Sequence, residues 1–240
     1  MLANAPGDFA QSGTGLTVCQ SWPASHSNVP VIAVSCYTAD GRAIQCCGHG
    51  LLAAAYSWQQ RLQCSEVPLL TNNSLVPSWS EQQTIWLRFE RLPTSVCTIP
   101  DWVMQVFSGQ SQPIAAAVCG NEQGYLVLQW PDEFDLYRIS QPADCLSGWT
   151  QRALICTSAH PSLADDAIQL RYFAPQYGVR EDVATGSALR VLADYWSRRF
   201  AKLTARQCSP AGGLLLARYS PDHIEVGGRC TILEVTTINE

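Results

Sequence analysis

Residues 181–188 read EDVATGSA, and an apolar helical pattern, LRVLADYW, follows at once. A second stretch, CCGHG at 46–50, also opens an apolar run, LLAAAYSW. A helix N-terminus offers unpaired N–H groups and a partial positive charge, so each mouth is a seat for a carboxylate or phosphate. The first mouth brings Cys46, Cys47 and His49 to that seat, and the second brings Glu181, Asp182, Thr185 and Ser187. Ionisable groups on either side of a bound anion suit proton abstraction from a carbon acid. One group takes a proton, another returns one, and N–H donors hold the carboxylate and the developing enolate. Such chemistry needs no organic cofactor.

Each residue also has a plainer reading. Asp182 or Thr185 can cap the helix, and Thr185 and Ser187 are common turn residues. A single histidine such as His49 is often only a satisfied side chain, although between Gly48 and Gly50 it has little core to fill. Cys47 at a helix start would have a lowered pKa and could act as a thiolate base. Glu181 reads as a solvated loop acid. Arg42, Arg171 and Arg180 lie near the two blocks and read as surface arginines.

The elements that must position these groups are legible in outline. Helical patterns cover 48–60, 100–108 and 186–200. Strand patterns cover 29–37, 84–92, 124–130, 152–158, 168–174, 212–220 and 223–235, separated by turns at Asp40-Gly41, Pro131-Asp132, Pro221-Asp222 and Gly227-Gly228. GHGLLAAAYSW (48–58) and GSALRVLADYW (186–196) align without a gap, sharing Gly first, Leu fourth, Ala eighth and Trp last. Each follows a strand and a Gly-containing turn, which points to an internal duplication. The composition of strands and helices predicts an α+β fold with two similar lobes, each a curved sheet around a central helix. The lobes are expected at 1–95 and 96–240, with the two helix mouths facing a cleft.

Composition narrows the function classes. The 240 residues carry a net charge of −5, a single lysine, and 47% hydrophobic residues. No basic stripe with interleaved aromatics supports nucleic-acid binding. The eleven cysteines show no CxxC pair and no zinc-type Cys/His spacing, so no metal site is expected and the thiols read as buried in a reducing compartment. The first residues show no signal-peptide pattern, and no apolar stretch is long enough to span a membrane. A cytoplasmic location is expected.

At these residues the chain resembles the phenazine-biosynthesis PhzF-like family, of diaminopimelate-epimerase-type fold. The resemblance rests on CGHG (47–50), EDVATGSA (181–188), RYFAPQYGV (171–179), LADYW (192–196) and RQCSPAGGLL (206–215), which is similar to a Q-x-S-x-x-GG stretch of the family. It implies two lobes around central helices, an active site between them, cofactor-independent isomerase or epimerase chemistry on a small carboxylic acid, and a homodimer. By motif, His49 and Asp182 fall on polar active-site positions. Gly48, Gly50, Thr185, Gly186 and Ser187 fall on substrate-binding positions.

Two departures stand out. The family's acid/base glutamate lies just under 30 residues before the CGH histidine, and Gln20 occupies that place here. A glutamine side chain cannot shuttle protons. The family's opening strands also have no match, so the first lobe is expected to be short at its N-terminus. These features leave three readings: an isomerase that uses Asp182, His49 or Cys47 instead, a pseudoenzyme that binds a carboxylate without turnover, or a scaffold whose free sheet edges pair in a dimer.

Overall fold

A computed structural model describes residues 8–12, 15–22, 30–38, 43–44, 47–72, 74–142 and 145–231. Cys46, Arg42, the Asp40-Gly41 turn and the expected strand residues 232–235 lie outside the described residues. The chain is α+β and dominated by strands. It divides into two units. One takes the described residues up to Arg88 together with those from Gly227 on, and the other is Phe89–Val226. The sequence placed a single boundary at 95/96. The two units of the structure divide after Arg88 and after Val226.

In the first unit the strands are β1 (Asp8–Ser12), β2 (Gly15–Trp22), β3 (Val31–Thr38) and β4 (Ala43–Ile44). Helix α1 (Gly48–Leu62) follows, then β5 (Leu69–Thr71), β6 (Ser74–Val76), β7 (Ser78–Glu81) and β8 (Thr84–Glu90). One sheet runs β1-β2-β3-β5-β6, with β4 paired to β3. Neighbours β3 and β5 are parallel, so α1 is the crossover between them. Its buried residues include Leu51, Leu52, Ala54, Ala55 and Trp58. The helix ends at Gln63 in a left-handed conformation (φ 51°, ψ 43°), whose N–H bonds back to the last turn.

The second unit holds β9 (Thr94–Cys97), α2 (Asp101–Val106), β10 (Ala115–Cys119), β11 (Tyr125–Gln129) and α3 (Leu146–Trp149). These are followed by β12 (Ala153–Ala159), β13 (Ala167–Phe173), α4 (Gly186–Tyr195), β14 (Lys202–Gln207), β15 (Gly213–Tyr219) and β16 (His223–Gly228). The strands run β16-β15-β14-β13-β12-β11-β10-β9 in one sheet. Here β13 and β14 are parallel neighbours, and α4 is their crossover. The two helices therefore occupy equivalent places, each between a parallel strand pair.

Strand alternation explains how this sheet buries both faces. Ala117, Val127, Ile155, Leu170, Ala205 and Ala217 pack against Leu189, Val191 and Leu192 of α4. Their neighbours Ala116, Leu126, Leu128, Leu154, Cys156 and Phe173 point the other way, against Val103 and Phe107 of the α2 segment and Trp130. Strand β12 is buried at every position for this reason. Residues from β10 through β16 join the buried residues of α4 in one core cluster. Asp194, near the end of α4, is held by Arg91 (2.7 Å) and by the N–H and hydroxyl of Thr94 (2.8 and 2.9 Å), tying the helix to the entry of β9.

Candidate functional site

The two helix mouths have matching backbones. The residue before α1 is Cys47, extended at φ −119° and ψ 92°. The residue before α4 is Thr185, extended at φ −113° and ψ 94°. Neither side chain caps its helix. The first helical bonds run from Leu51 N–H to Cys47 O (2.9 Å) and from Leu189 N–H to Thr185 O (3.1 Å). The N–H groups of the first turn therefore lie ahead of the intrahelical ladder in both helices.

At the α1 mouth, the Cys47 sulfur lies 3.5 Å from His49 Nε2 and 3.8 Å from Nδ1. Cys47 is buried, as are Gly48 and Gly50, whereas His49 is half-buried. The structure thus joins two of the sequence candidates into a thiol–imidazole pair. Gln20 lies on β2 opposite Ala33 and is exposed, while its neighbour Cys19 and the facing Val34 are buried. By strand alternation Gln20 projects from the opposite face of the sheet to Cys19.

The α4 mouth is more elaborate. Asp182 lies nine residues beyond β13 and returns to it, with its N–H on Tyr172 O (3.1 Å). Its Oδ1 accepts from Val183 N–H at 2.9 Å, and its Oδ2 accepts from the Thr185 hydroxyl at 2.7 Å. The carboxylate therefore fixes a turn and a hydroxyl, and it leaves the helix N–H groups of Gly186 and Ser187 to another anion. Thr185 itself has no donor to spare, because its N–H goes to Gln207 Oε1 at 2.7 Å. Of the residues the sequence assigned to substrate binding at this mouth, Gly186 and Ser187 retain donors. Thr185 acts by holding Asp182.

Three residues the sequence passed over support this turn. Gln207 is fully buried at the end of β14 and donates from Nε2 to Asp182 O (2.7 Å) and to Thr185 Oγ1 (3.0 Å). Ser209 donates to Val183 O at 2.8 Å. Gly213 lies so close that a Cβ there would stand 3.2 Å from Ala184 Cβ. All three belong to RQCSPAGG, a stretch flagged in the sequence without any role for its members.

Two sequence readings are overturned. Glu181 is not a solvated acid and Arg171 is not a surface arginine. Their side chains are 7% and 8% exposed and form a two-point ion pair, Nε–Oε1 at 2.7 Å and Nη2–Oε2 at 2.8 Å. Arg171 also donates to the carbonyls of Leu136 and Ile139 and stacks over Phe173. One buried cation therefore fastens the short 3₁₀ helix Leu136–Arg138 and its cap Ile139 to the residue preceding Asp182.

A Ser–His–Glu constellation elsewhere is structural. Ser158 Oγ lies 3.1 Å from His160 Nε2, and His160 Nδ1 lies 3.4 Å from Glu133. Ser158 is wholly buried and donates to Phe134 O, so it can reach no substrate. Among the described residues, no group of three or more His, Cys, Asp or Glu side chains is placed to hold a metal ion. No helix among them is long and apolar enough to cross a membrane.

The sequence model of the phenazine biosynthesis-like protein family (PhzC-PhzF) matches residues 37–230. The chain belongs to this family. An uncharacterized isomerase of Vibrio cholerae is 28% identical over 192 residues, covering 74% of this chain and 61% of the relative. The bovine phenazine biosynthesis-like domain-containing protein is 49% identical over 70 residues, 28% of this chain and 24% of the relative. The matched regions thus span less than two thirds of either relative. Among solved structures, a PhzF-family phenazine biosynthesis protein from Enterococcus faecalis superposes with a TM-score of 0.75 at 21% identity, covering 91% of this chain and 80% of that one. A predicted epimerase from Pseudomonas aeruginosa superposes with a TM-score of 0.59 at 15% identity, covering 91% and 84%. These superpositions show that the chain has the PhzF-family fold.

Proposed function

We propose that this PhzF-family chain is an isomerase of the epimerase type, moving a proton on a small carboxylic acid. The observation that carries the proposal is the α4 mouth, where Asp182 is held by Thr185 and Val183 beside unoccupied N–H groups. In this reading Gly186 and Ser187 seat the substrate carboxylate through N–H groups and the Ser187 hydroxyl, and the field of the helix adds to their hold. Asp182 is the base that takes the proton from the adjacent carbon. His49 and Cys47, paired at 3.5 Å, are the candidates for the acid that returns one. Proton transfer of this kind involves no net oxidation and calls for no redox cofactor.

Gln20 favours a second reading. It stands where the resemblance places a glutamate, and its exposed amide carries no transferable proton. A chain that keeps the α4 mouth but lacks a second proton carrier would bind carboxylates without turnover.

Solvent deuterium wash-in separates the two. The protein is incubated in deuterated buffer with amino acids and unsaturated cyclic carboxylic acids, and NMR follows deuterium at the carbon beside the carboxylate or double bond. The isomerase reading expects wash-in that Asp182→Asn abolishes while carboxylate binding persists. Binding without wash-in overturns it in favour of the second reading. Restoration of wash-in by Gln20→Glu would then identify the missing group.

A further inference from the structure

We infer that Gln207 is a positioning residue, the source of a one-way hydrogen-bond relay through Thr185 that holds Asp182 as an acceptor and keeps the α4 mouth uncapped. The inference adds a residue to the proposed proton transfer and rests on that reading for its catalytic meaning.

The direction of the relay follows from which groups can donate. A backbone N–H only donates, so the end of the Gln207 side chain 2.7 Å from Thr185 N must be its oxygen. Its nitrogen then faces Asp182 O at 2.7 Å, a group that only accepts, so two independent contacts fix the same orientation. The second proton of that nitrogen points to Thr185 Oγ1 at 3.0 Å. A threonine hydroxyl has one proton, and with Gln207 donating to its oxygen that proton runs on to Asp182 Oδ2 at 2.7 Å. Oδ1 already receives the Val183 N–H. Both oxygens of Asp182 thus face donors, and the acceptor-only carboxylate is the form that fits. Gln207 is wholly buried, so water cannot readily take its place.

The same relay explains the open mouth. A threonine before a helix ordinarily turns its oxygen to the N–H of the second or third helical residue. Thr185 makes no such bond, because its hydroxyl is committed between Gln207 and Asp182. One buried amide therefore sets the proton acceptor in place and withholds the cap that would fill the anion seat.

The test is NMR on the full chain without ligand, using Thr185→Val, Thr185→Ser and Gln207→Leu. Because Thr185 makes no cap bond, valine there removes the relay and not a cap. Thr185→Val is expected to move the side-chain carboxyl carbon resonance of Asp182, and Thr185→Ser to return it to the wild-type position. Gln207→Leu is expected to speed hydrogen exchange of the residue 185 amide on the order of tenfold, while Thr185→Val leaves that amide protected. An Asp182 resonance unmoved by Thr185→Val, or one moved equally by Thr185→Ser, overturns the relay. If Gln207→Leu does not fold, the valine and serine pair alone decides. Absence of deuterium wash-in in the wild type would sink the isomerase reading and leave these resonances unchanged, so the two failures are distinguishable.

Discussion

Arg171 grips Glu181 through two parallel bonds of 2.7 and 2.8 Å, one residue ahead of Asp182, with both side chains under a tenth exposed. The pair is surrounded by Phe173 and by the carbonyls of Leu136 and Ile139, so neither charge has ready access to water if its partner is removed. Arg171→Leu is expected to cost about 3–5 kcal/mol, because it strands a buried carboxylate. Arg171→Met with Glu181→Leu is expected to recover most of that loss, since the hole is then apolar on both sides. Urea unfolding of the two variants reads the difference. Equal losses in the single and double variants would mean that the pair's geometry, and not its charge, matters to stability.

Gly213→Ala tests the tight approach beneath the Asp182 turn. The added Cβ meets Ala184 Cβ at 3.2 Å, closer than comfortable packing, and the Val183–Ala184 segment must shift to admit it. A stability loss of about 1–3 kcal/mol is expected from overpacking. Because the shifted segment leads into Gly186 and Ser187, benzoate binding, followed by calorimetry, should weaken as well. Unchanged stability together with unchanged benzoate binding would show that the segment yields freely.

Alkaline pH should destabilise the fold through its buried thiols and phenols. Burial pushes the Cys208 thiol from its ordinary 9.0 up to about 12, and that of Cys230 up to about 11. Burial also raises Tyr195, from 10.0 to about 12, and raises Cys156 and Tyr172. A folded value above the unfolded one means that the native state holds its proton longer. The contribution is complete below the unfolded value and is lost as pH climbs from 9.0 towards about 12. The urea midpoint should therefore fall progressively above pH 9.0. A midpoint that stays flat across that range would contradict the burial of these groups.

The sequence made some elements legible and hid others for physical reasons. The mouths of α1 and α4 were readable because Gly followed by a helical apolar pattern is a local signal, and the helices begin at Gly48 and Gly186. Strand β12 was readable from its apolar run ALIC, and β13 from the period-two alternation of Ile168, Leu170 and Tyr172 with Gln169 and Arg171. Strand β10, AAAVC, was not, since alanine favours helix and the strand exists only because both of its faces are covered. Asp182 was singled out beside its helix, but Gln207 lies 25 residues along the chain and meets it only when β13 and β14 pair. Glu181 and Arg171 looked like surface charges because each is hydrophilic alone. Their burial depends on a partner ten residues away and on the carbonyls of Leu136 and Ile139.

The matching dihedrals at Cys47 and Thr185, −119° and 92° against −113° and 94°, mean that one backbone mould has been cast twice with different contents. A thiol beside an imidazole fills one copy, and a hydroxyl between an amide and a carboxylate fills the other. Chemistry in such a mould is exchangeable without rebuilding its walls, because the chain path into the helix does not depend on which side chain leads it. Either mouth can therefore change its side chains by one or two substitutions while the backbone of the other stays as it is.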